Sequence, residues 1–372
     1  MNRPANPEAL SREDVSARRP RGWLPAALAL AAVLLVAFAP SFADGGMLRL
    51  FSEILLTLAM AQMWNLLAGY TGLVSMGHQA FIGAGAYLLF VLSDRFNISP
   101  YWMVPVAGVG AALLAAVVAP LMFRLRDAYF SIGMWVFAEI VRLLVTKFDV
   151  LGGESGVPLQ AMRLVDAASF QAVTFWISGA IGVASVAGVY LLMRSSFGLG
   201  LMTVRDNELA ATSVGVDVWR NRFVAFVLSA FGSGMAGAAH YMGTMFLSPD
   251  SAFDINWVVA VMFIVIIGGI GTIEGPLIGT VIYFGLREFF GSYFSMSGGW
   301  YLIAMGCIAI AVMLTAPRGL WGLARERWRL RGLTVQRFAP AASDAAPAAP
   351  GAALAAPAEE PVHLPHPLPE RQ

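Results

Sequence analysis

Charged residues are scarce in this chain of 372 residues. Asp, Glu, Lys and Arg make up 13% of it, about half the roughly 25% of ordinary soluble domains. Hydrophobic residues make up 58%, and the mean hydropathy is +0.70. That much apolar surface cannot be hidden in the core of one soluble domain, so the composition predicts a chain that is solvated largely by lipid.

Lysine is nearly missing as well. The one lysine, Lys147, is followed by phenylalanine. A phosphate-binding P-loop requires lysine followed by serine or threonine, so this chain cannot hydrolyse ATP through that motif. Energy for uphill transport would have to come from a partner protein or from an ion gradient.

Cysteine and histidine are too sparse for several kinds of site. A single cysteine, Cys307, forms no disulfide framework and no cysteine metal site. The histidines are scattered, which argues against a metal cluster; they are His78, His240, His363 and His366. No nucleophile and base pair supports an intramembrane enzyme. We therefore predict no catalytic residue, no metal site, no cofactor in this chain and no nucleic-acid partner.

Apolar segments dominate what is present, and ten of them approach the roughly 17–25 residues that a membrane-spanning helix needs. They lie at 23–39, 48–68, 72–92, 101–122, 128–147, 172–193, 223–246, 255–270, 276–290 and 300–316. The eighth and ninth are the shortest and flank a glycine-rich break, so the count is nine or ten. The predicted fold is an all-α integral membrane protein, a polytopic bundle of about ten transmembrane helices within residues 22–322.

Basic residues predict that the N-terminus and the C-terminus are both cytoplasmic. With ten spans, 18 arginines fall in inner segments and four basic residues in outer ones, which is a strong positive-inside bias. Residues 1–21 form a cytoplasmic segment, and residues 323–372 form a basic, then Ala/Pro-rich tail that is predicted to be disordered. A signal-peptide interpretation of 23–39 is less favoured, because its apolar run exceeds the about 7–15 residues of a signal sequence.

Few ionisable residues lie within the spans. Glu53 is near the outer end of the second span, and Arg287 and Glu288 are near that of the ninth. Glu139 and Arg142 are spaced i,i+3, so they either form a substrate or ion site or, as we favour, neutralise each other on one helix face. An ion-coupled carrier would need Glu53 or Glu139 as its coupling group, and this supply of charge is small for such a carrier.

Small residues recur at every fourth position in several spans, which predicts close helix packing. The series are Ala107, Ala111, Ala115, Ala119; Ala180, Ala184, Gly188; Ala225, Ser229, Ser233, Gly237; and Gly271, Gly275, Gly279.

The stretch NLLAGYTGLVSMGHQAFIGAGAY, residues 65–87, carries five glycines and several polar groups inside apolar sequence. Either the glycines allow close packing, or an unwound backbone lines a pathway for a polar solute. The candidate pathway residues are Asn65, Gly69, Gly72, Ser75, Gly77, His78 and Gln79. His78 and Gln79 are predicted one or two turns into the third helix, where they either face the pathway or, as we favour, hydrogen-bond to a neighbouring helix.

The loop 194–222 is the one long inner segment between helices. Within it, DNELAATSVG predicts a short helix that Asp206 or Asn207 could cap. Its alanines and Gly215 make it slim enough to enter a groove on another protein. The alternative is a loop that lies on anionic lipid.

Three blocks, in this order, resemble the inner-membrane permeases of branched-chain amino acid ABC transporters, of the LivM type. They are GYTGLVSMGHQAFIGAGAY, VRDNELAATSVGVDVWRNRFVAFVLSAFGSGMAGA and GGIGTIEGPLIGTVI, and the resemblance extends over residues 23–325. It implies a multi-pass subunit in the bacterial inner membrane. It also implies a second permease subunit, two ATPase subunits that hold ATP and Mg, and a periplasmic substrate-binding protein as partners.

The resemblance also implies that loop 194–222 couples the permease to its ATPase. The residues concerned are Arg205, Asp206, Asn207, Glu208, Ala210, Ala211 and Gly215. Ala210, Ala211 and Gly215 match the A-A-x-x-x-G part of the general E-A-A-x-x-x-G pattern, whereas Glu208 is displaced by one position and the later I-x-L-P is absent. The expected solute is a branched-chain amino acid. The alternatives are urea or a short amide and, in a different class, an ion-coupled secondary transporter.

Overall fold

The computed structural model describes residues 33–148, 151–294, 299–316 and 319–328, and these are almost entirely helical. The α-helices in this part of the chain are α1 (Gly45–Thr71), α2 (Gln79–Phe96), α3 (Pro100–Met122), α4 (Asp127–Thr146), α5 (Phe170–Arg194), α6 (Ser196–Asp206), α7 (Glu208–Ser213), α8 (Val218–Thr244), α9 (Pro249–Ala252), α10 (Asn256–Gly268), α11 (Glu274–Phe294), α12 (Gly299–Thr315) and α13 (Gly319–Trp328). Short 3-10 helices occupy Ala39–Ser41 and Gln160–Leu164, and strands β1 (Val157–Pro158) and β2 (Phe246–Leu247) pair antiparallel.

Seven helical segments among the described residues are long and apolar enough to cross a membrane. They are Gly45–Thr71, Pro100–Met122, Asp127–Thr146, Phe170–Arg194, Val218–Thr244, Pro249–Gly268 and Ile303–Ala324. Helices α2 and α11, at the predicted third and ninth spans, are present but are not among the seven. The predicted N-terminal segment, most of the first span and most of the tail lie outside the described residues, although α13 extends past the predicted domain end at 322.

The central helix of the bundle is α8, which packs against α1, α2, α3 and α5. Its small residues explain this position, because Ala225, Ser229, Ser233 and Gly237 are all buried. The series on α3, from Ala107 to Ala119, is buried as well. Small side chains allow helix backbones to approach closely, so the packing predicted for both series is confirmed. In the series Ala180, Ala184 and Gly188 of α5 all three residues are exposed, so there the described residues do not show the predicted packing.

The prediction that the third helix begins at 72 is wrong. Helix α1 ends at Thr71, Gly72 adopts a left-handed φ of 78°, and α2 begins only at Gln79. His78 and Gln79 therefore lie at the start of this helix, not one or two turns inside it. Residues 72–78 are held in an irregular path by tertiary bonds, such as the one that the Trp64 indole Nε1 donates to the Ser75 carbonyl at 2.8 Å.

Candidate functional site

A glycine-rich turn, residues 269–273, separates α10 from α11 and contacts the C-terminal half of α1. Asn65 Nδ2 donates to the Thr272 carbonyl at 2.8 Å, and Asn65 Oδ1 accepts from the Gly271 amide at 2.8 Å. Gln62 Nε2 donates to the Ile273 carbonyl at 2.7 Å. A break between two helices leaves backbone groups without helical partners, and in apolar surroundings each must be satisfied. The fully buried side chains of Gln62 and Asn65 supply those partners.

Close backbone approach explains two of the glycines here. A Cβ atom on Gly69 would lie 2.6 Å from the amide nitrogen and 2.8 Å from the Cα of Gly271. Gly271 itself has a left-handed φ of 74°, which side-chain-bearing residues rarely adopt. Glycine at both positions lets the turn press directly against α1.

Arg205, in the last turn of α6, also reaches this point. Its Nη1 donates to the Gly69 carbonyl at 2.9 Å, and its Nε donates to Asp206 Oδ1 at 3.0 Å. The last carbonyls of a helix have no intrahelical partner and are favourable sites for a cation. We call Asn65, Gly69, Arg205 and Gly271 the α1–α6 junction; it joins α1, the glycine-rich turn and the segment that precedes α7.

The short helix predicted in loop 194–222 is present as α7. Asn207 Oδ1 accepts from the Ala210 amide at 3.0 Å, so Asn207 caps the helix, whereas Asp206 pairs with Arg205. Glu208 in the first turn forms an ion pair with Arg222 of α8, with Oε2 and Nη2 3.0 Å apart. Helix α7 is therefore tied to α6 at one end and to α8 by a salt bridge.

Two large apolar side chains, one in α7 and one directly after it, are exposed. Leu209 is 78% and Val214 is 74% exposed, whereas Ala211 is buried toward the bundle. Gly215 follows with a φ of 84°, and a Cβ atom there would meet nothing within 4 Å. A short helix that presents two large apolar side chains to solvent has the character of a docking element.

Of the remaining candidate pathway residues, Gly72 is exposed and the others are buried among neighbouring helices. His78 Nε2 and Ser229 Oγ of α8 are 2.7 Å apart, and that hydroxyl donates to the Met63 carbonyl at 2.7 Å. Of the two alternatives for His78, the bond to a neighbouring helix is the one found. Ser75 and Gln79 are at most 2% exposed. Gly77 lies against the backbone of α4, and Gly72 faces Arg205.

Three ion pairs, in two groups, lie at the other end of the bundle. The predicted Glu139–Arg142 pair is confirmed, at 2.5 Å, and Asp250 joins it at 2.6 Å from Arg142. Glu53 of α1 pairs with Arg287 of α11 at 2.5 Å. The sequence identified both of these last residues but not their contact, because a separation of 234 positions leaves no local signal.

The sequence of this chain is similar to those of known transport proteins. The family model described as the permease component of branched-chain amino acid transport systems matches residues 46–313. The high-affinity branched-chain amino acid permease protein LivM of Escherichia coli is 24% identical over 331 residues, covering 82% of this chain and 77% of the relative. The probable branched-chain amino acid permease LivH of Methanocaldococcus jannaschii is 25% identical over 291 residues, covering 74% and 90%.

A more distant similarity is to the autoinducer 2 import permease LsrC of Klebsiella pneumoniae, which is 29% identical over 159 residues, covering 42% of this chain and 45% of the relative. No solved structure matches the chain. The family match includes α1, the glycine-rich turn, α6 and α7, and thus the whole α1–α6 junction. The chain belongs to the family of permease components of branched-chain amino acid transport systems.

Proposed function

We propose that this chain is a permease subunit of an ABC importer that carries branched-chain amino acids across a bacterial inner membrane. ATP and Mg would be bound by two partner ATPase subunits, a second permease subunit would complete the pathway, and a periplasmic binding protein would deliver the solute. The proposal includes about ten transmembrane helices and places both termini of the chain in the cytoplasm. The observation that carries it is the link from the exposed helix α7, through Arg205, to α1 and the glycine-rich turn.

The position of α7 supports a coupling role. Helices α6 and α7 lie where α1 and α5 end and α8 begins. The arginine distribution predicts that this end of the bundle faces the cytoplasm, where an ATPase would bind. Movement of α7 would reach α8 through Glu208 and Arg222, and α1 through Arg205. Rigid-body motion of these helices would then switch access from one side to the other.

The choice of solute follows the relatives. Two relatives that cover most of this chain are named for branched-chain amino acids, whereas the relative named for another solute covers 42% of it. Urea or a short amide is the second candidate in the same superfamily. An ion-coupled carrier is less well supported, because Glu53 and Glu139 both form salt bridges with arginines.

The proposal is tested by reconstituting the chain with its partner subunits in proteoliposomes. We expect uptake of radiolabelled L-leucine that requires both ATP and the leucine-loaded binding protein. Urea is offered in parallel. Uptake that persists without ATP at a constant ion gradient would identify a secondary carrier instead, and uptake of urea but not leucine would reassign the substrate.

Replacing Gly215 by valine should lower leucine uptake about fivefold. A β-branched residue at a φ of 84° is strained by about 1–2 kcal/mol, which shifts the end of α7 that would contact the ATPase. Membrane levels should stay normal, because no atom lies within 4 Å of the added Cβ. Gly46→Val is the matched control, since its Cβ is equally free of contacts. Normal uptake by the Gly215→Val protein would contradict the docking role of α7.

A further inference from the structure

A cavity of about 480 Å³ with charged and aromatic residues in its lining lies between α1, α8, α10 and α11, at the end of the bundle opposite α7. Its volume is within the range of about 300–1,000 Å³ that small-molecule sites occupy. Its lining includes Glu53, Thr57, His240, Trp257, Tyr283 and Arg287. The cavity thus combines two acidic groups, Glu53 and Asp254, and one basic group, Arg287, with aromatic walls.

The charged groups lie well inside their helices. Glu53 is eight residues after the start of α1, and Arg287 is seven before the end of α11. At 1.5 Å per residue these positions are roughly 10–12 Å from the helix ends. Ionisable groups in a membrane-spanning segment are costly even near its end and often mark a functional site. Their side chains are 30% and 42% exposed, so the pair faces the cavity and is not sealed in the core.

The aromatic wall is held rigidly. Trp257 Nε1 donates to the Ser251 carbonyl at 3.0 Å and to the Tyr241 hydroxyl at 3.3 Å. The His240 ring packs edge-on against the Trp257 ring, with centroids 4.8 Å apart. An indole fixed on its polar edge keeps its apolar faces available for contact.

We propose that this cavity binds an α-amino acid with an apolar side chain on its way through the permease. Glu53 would contact the ammonium group, Arg287 the carboxylate, and Trp257 and Tyr283 the side chain. The proposal rests on the proposed function and deepens it, because it assigns part of the solute selectivity to the permease itself. A guanidinium presents two parallel donors that match a carboxylate, and Arg287 already makes such a paired contact with Glu53. Urea carries no charge, so it could form an ion pair with neither Glu53 nor Arg287.

The test uses the complete transporter in proteoliposomes with saturating leucine-loaded binding protein, so that delivery does not limit the rate. Leucine imported per ATP hydrolysed is measured for Glu53→Gln and Arg287→Gln, and each should fall about fivefold. The control Glu139→Gln breaks a carboxylate–arginine pair of the same kind that does not line the cavity. It should stay within about twofold of the wild type, because exposed pairs contribute little.

A charge-swapped double variant, Glu53→Arg with Arg287→Glu, separates recognition from simple stability. It retains an ion pair but presents each charge at the wrong end of the aromatic wall, so import should remain low. Recovery of import in this variant, or normal import in both single variants, would overturn the site while leaving the proposed function intact. A wild-type transporter that imports no leucine would instead overturn the proposed function, and the site with it.

Discussion

Arg205→Ala should reduce leucine import per ATP hydrolysed about tenfold or more, without preventing assembly. The variant removes the bond from the guanidinium to the Gly69 carbonyl, which is the hydrogen-bonded contact of α6 with the end of α1. A partly buried hydrogen bond to a charged group contributes about 1.5–3 kcal/mol, enough to alter how α1 follows a movement of α7. Buried apolar residues of α6, Leu201 and Val204, still hold the helix in place. ATP hydrolysis should therefore continue while transport fails.

Arg220→Ala is the matched control. It removes the same charge from the same loop, but Arg220 is exposed in the first turn of α8 and lies outside the α1–α6 junction. Both variants should reach the membrane in normal amounts and bind the ATPase subunits. Equal import by the two variants would show that the contact of Arg205 with Gly69 does not transmit movement: equally low import would assign the effect to loss of charge, and normal import would assign no role to either arginine.

Local signals in the sequence predicted α7 well. Capping by Asn207 and the pairing of Glu139 with Arg142 are both interactions between residues three positions apart. Such contacts depend on helix geometry alone, so residue type and spacing determine them. The burial of the small-residue series on α3 and α8 could also be predicted, because each series lies on a single helix face.

Contacts between distant segments could not be predicted in this way. Asn65 is bonded to residues more than 200 positions away, and nothing in its surroundings specifies the partner. The start of α2 was misplaced for a related reason. Residues 72–78 continue an apolar stretch of the kind that predicts a membrane-spanning helix. Gly72 and the hydrogen bond from Trp64 to Ser75 nevertheless hold them in an irregular path. Hydropathy predicts membrane burial and not the backbone conformation within it.

Gly279→Ala should destabilise the permease by about 1–3 kcal/mol or more, the cost of overpacking a close contact. A Cβ atom there would lie 2.8 Å from the carbonyl carbon and 3.2 Å from the Cα of Ile264, and it would overlap the carbonyl oxygen. These are backbone atoms of α10, so no side chain can rotate away and the two helices must separate. The predicted series that ends at Gly279 thus marks a close approach of α10 and α11. We expect the midpoint of thermal unfolding in detergent to fall by about 5 °C or more.

Gly285→Ala, six residues later on the same helix, is the matched control. A Cβ atom on Gly285 would meet nothing within 4 Å, so alanine there should gain about 0.5–1 kcal/mol from its better helix propensity. Because α10 and α11 flank the glycine-rich turn, separating them should also weaken its bonds to Asn65. Leucine import should therefore fall together with stability in Gly279→Ala and stay normal in Gly285→Ala. If the two alanine variants unfold at the same temperature, the helices are not as closely packed as the structure indicates.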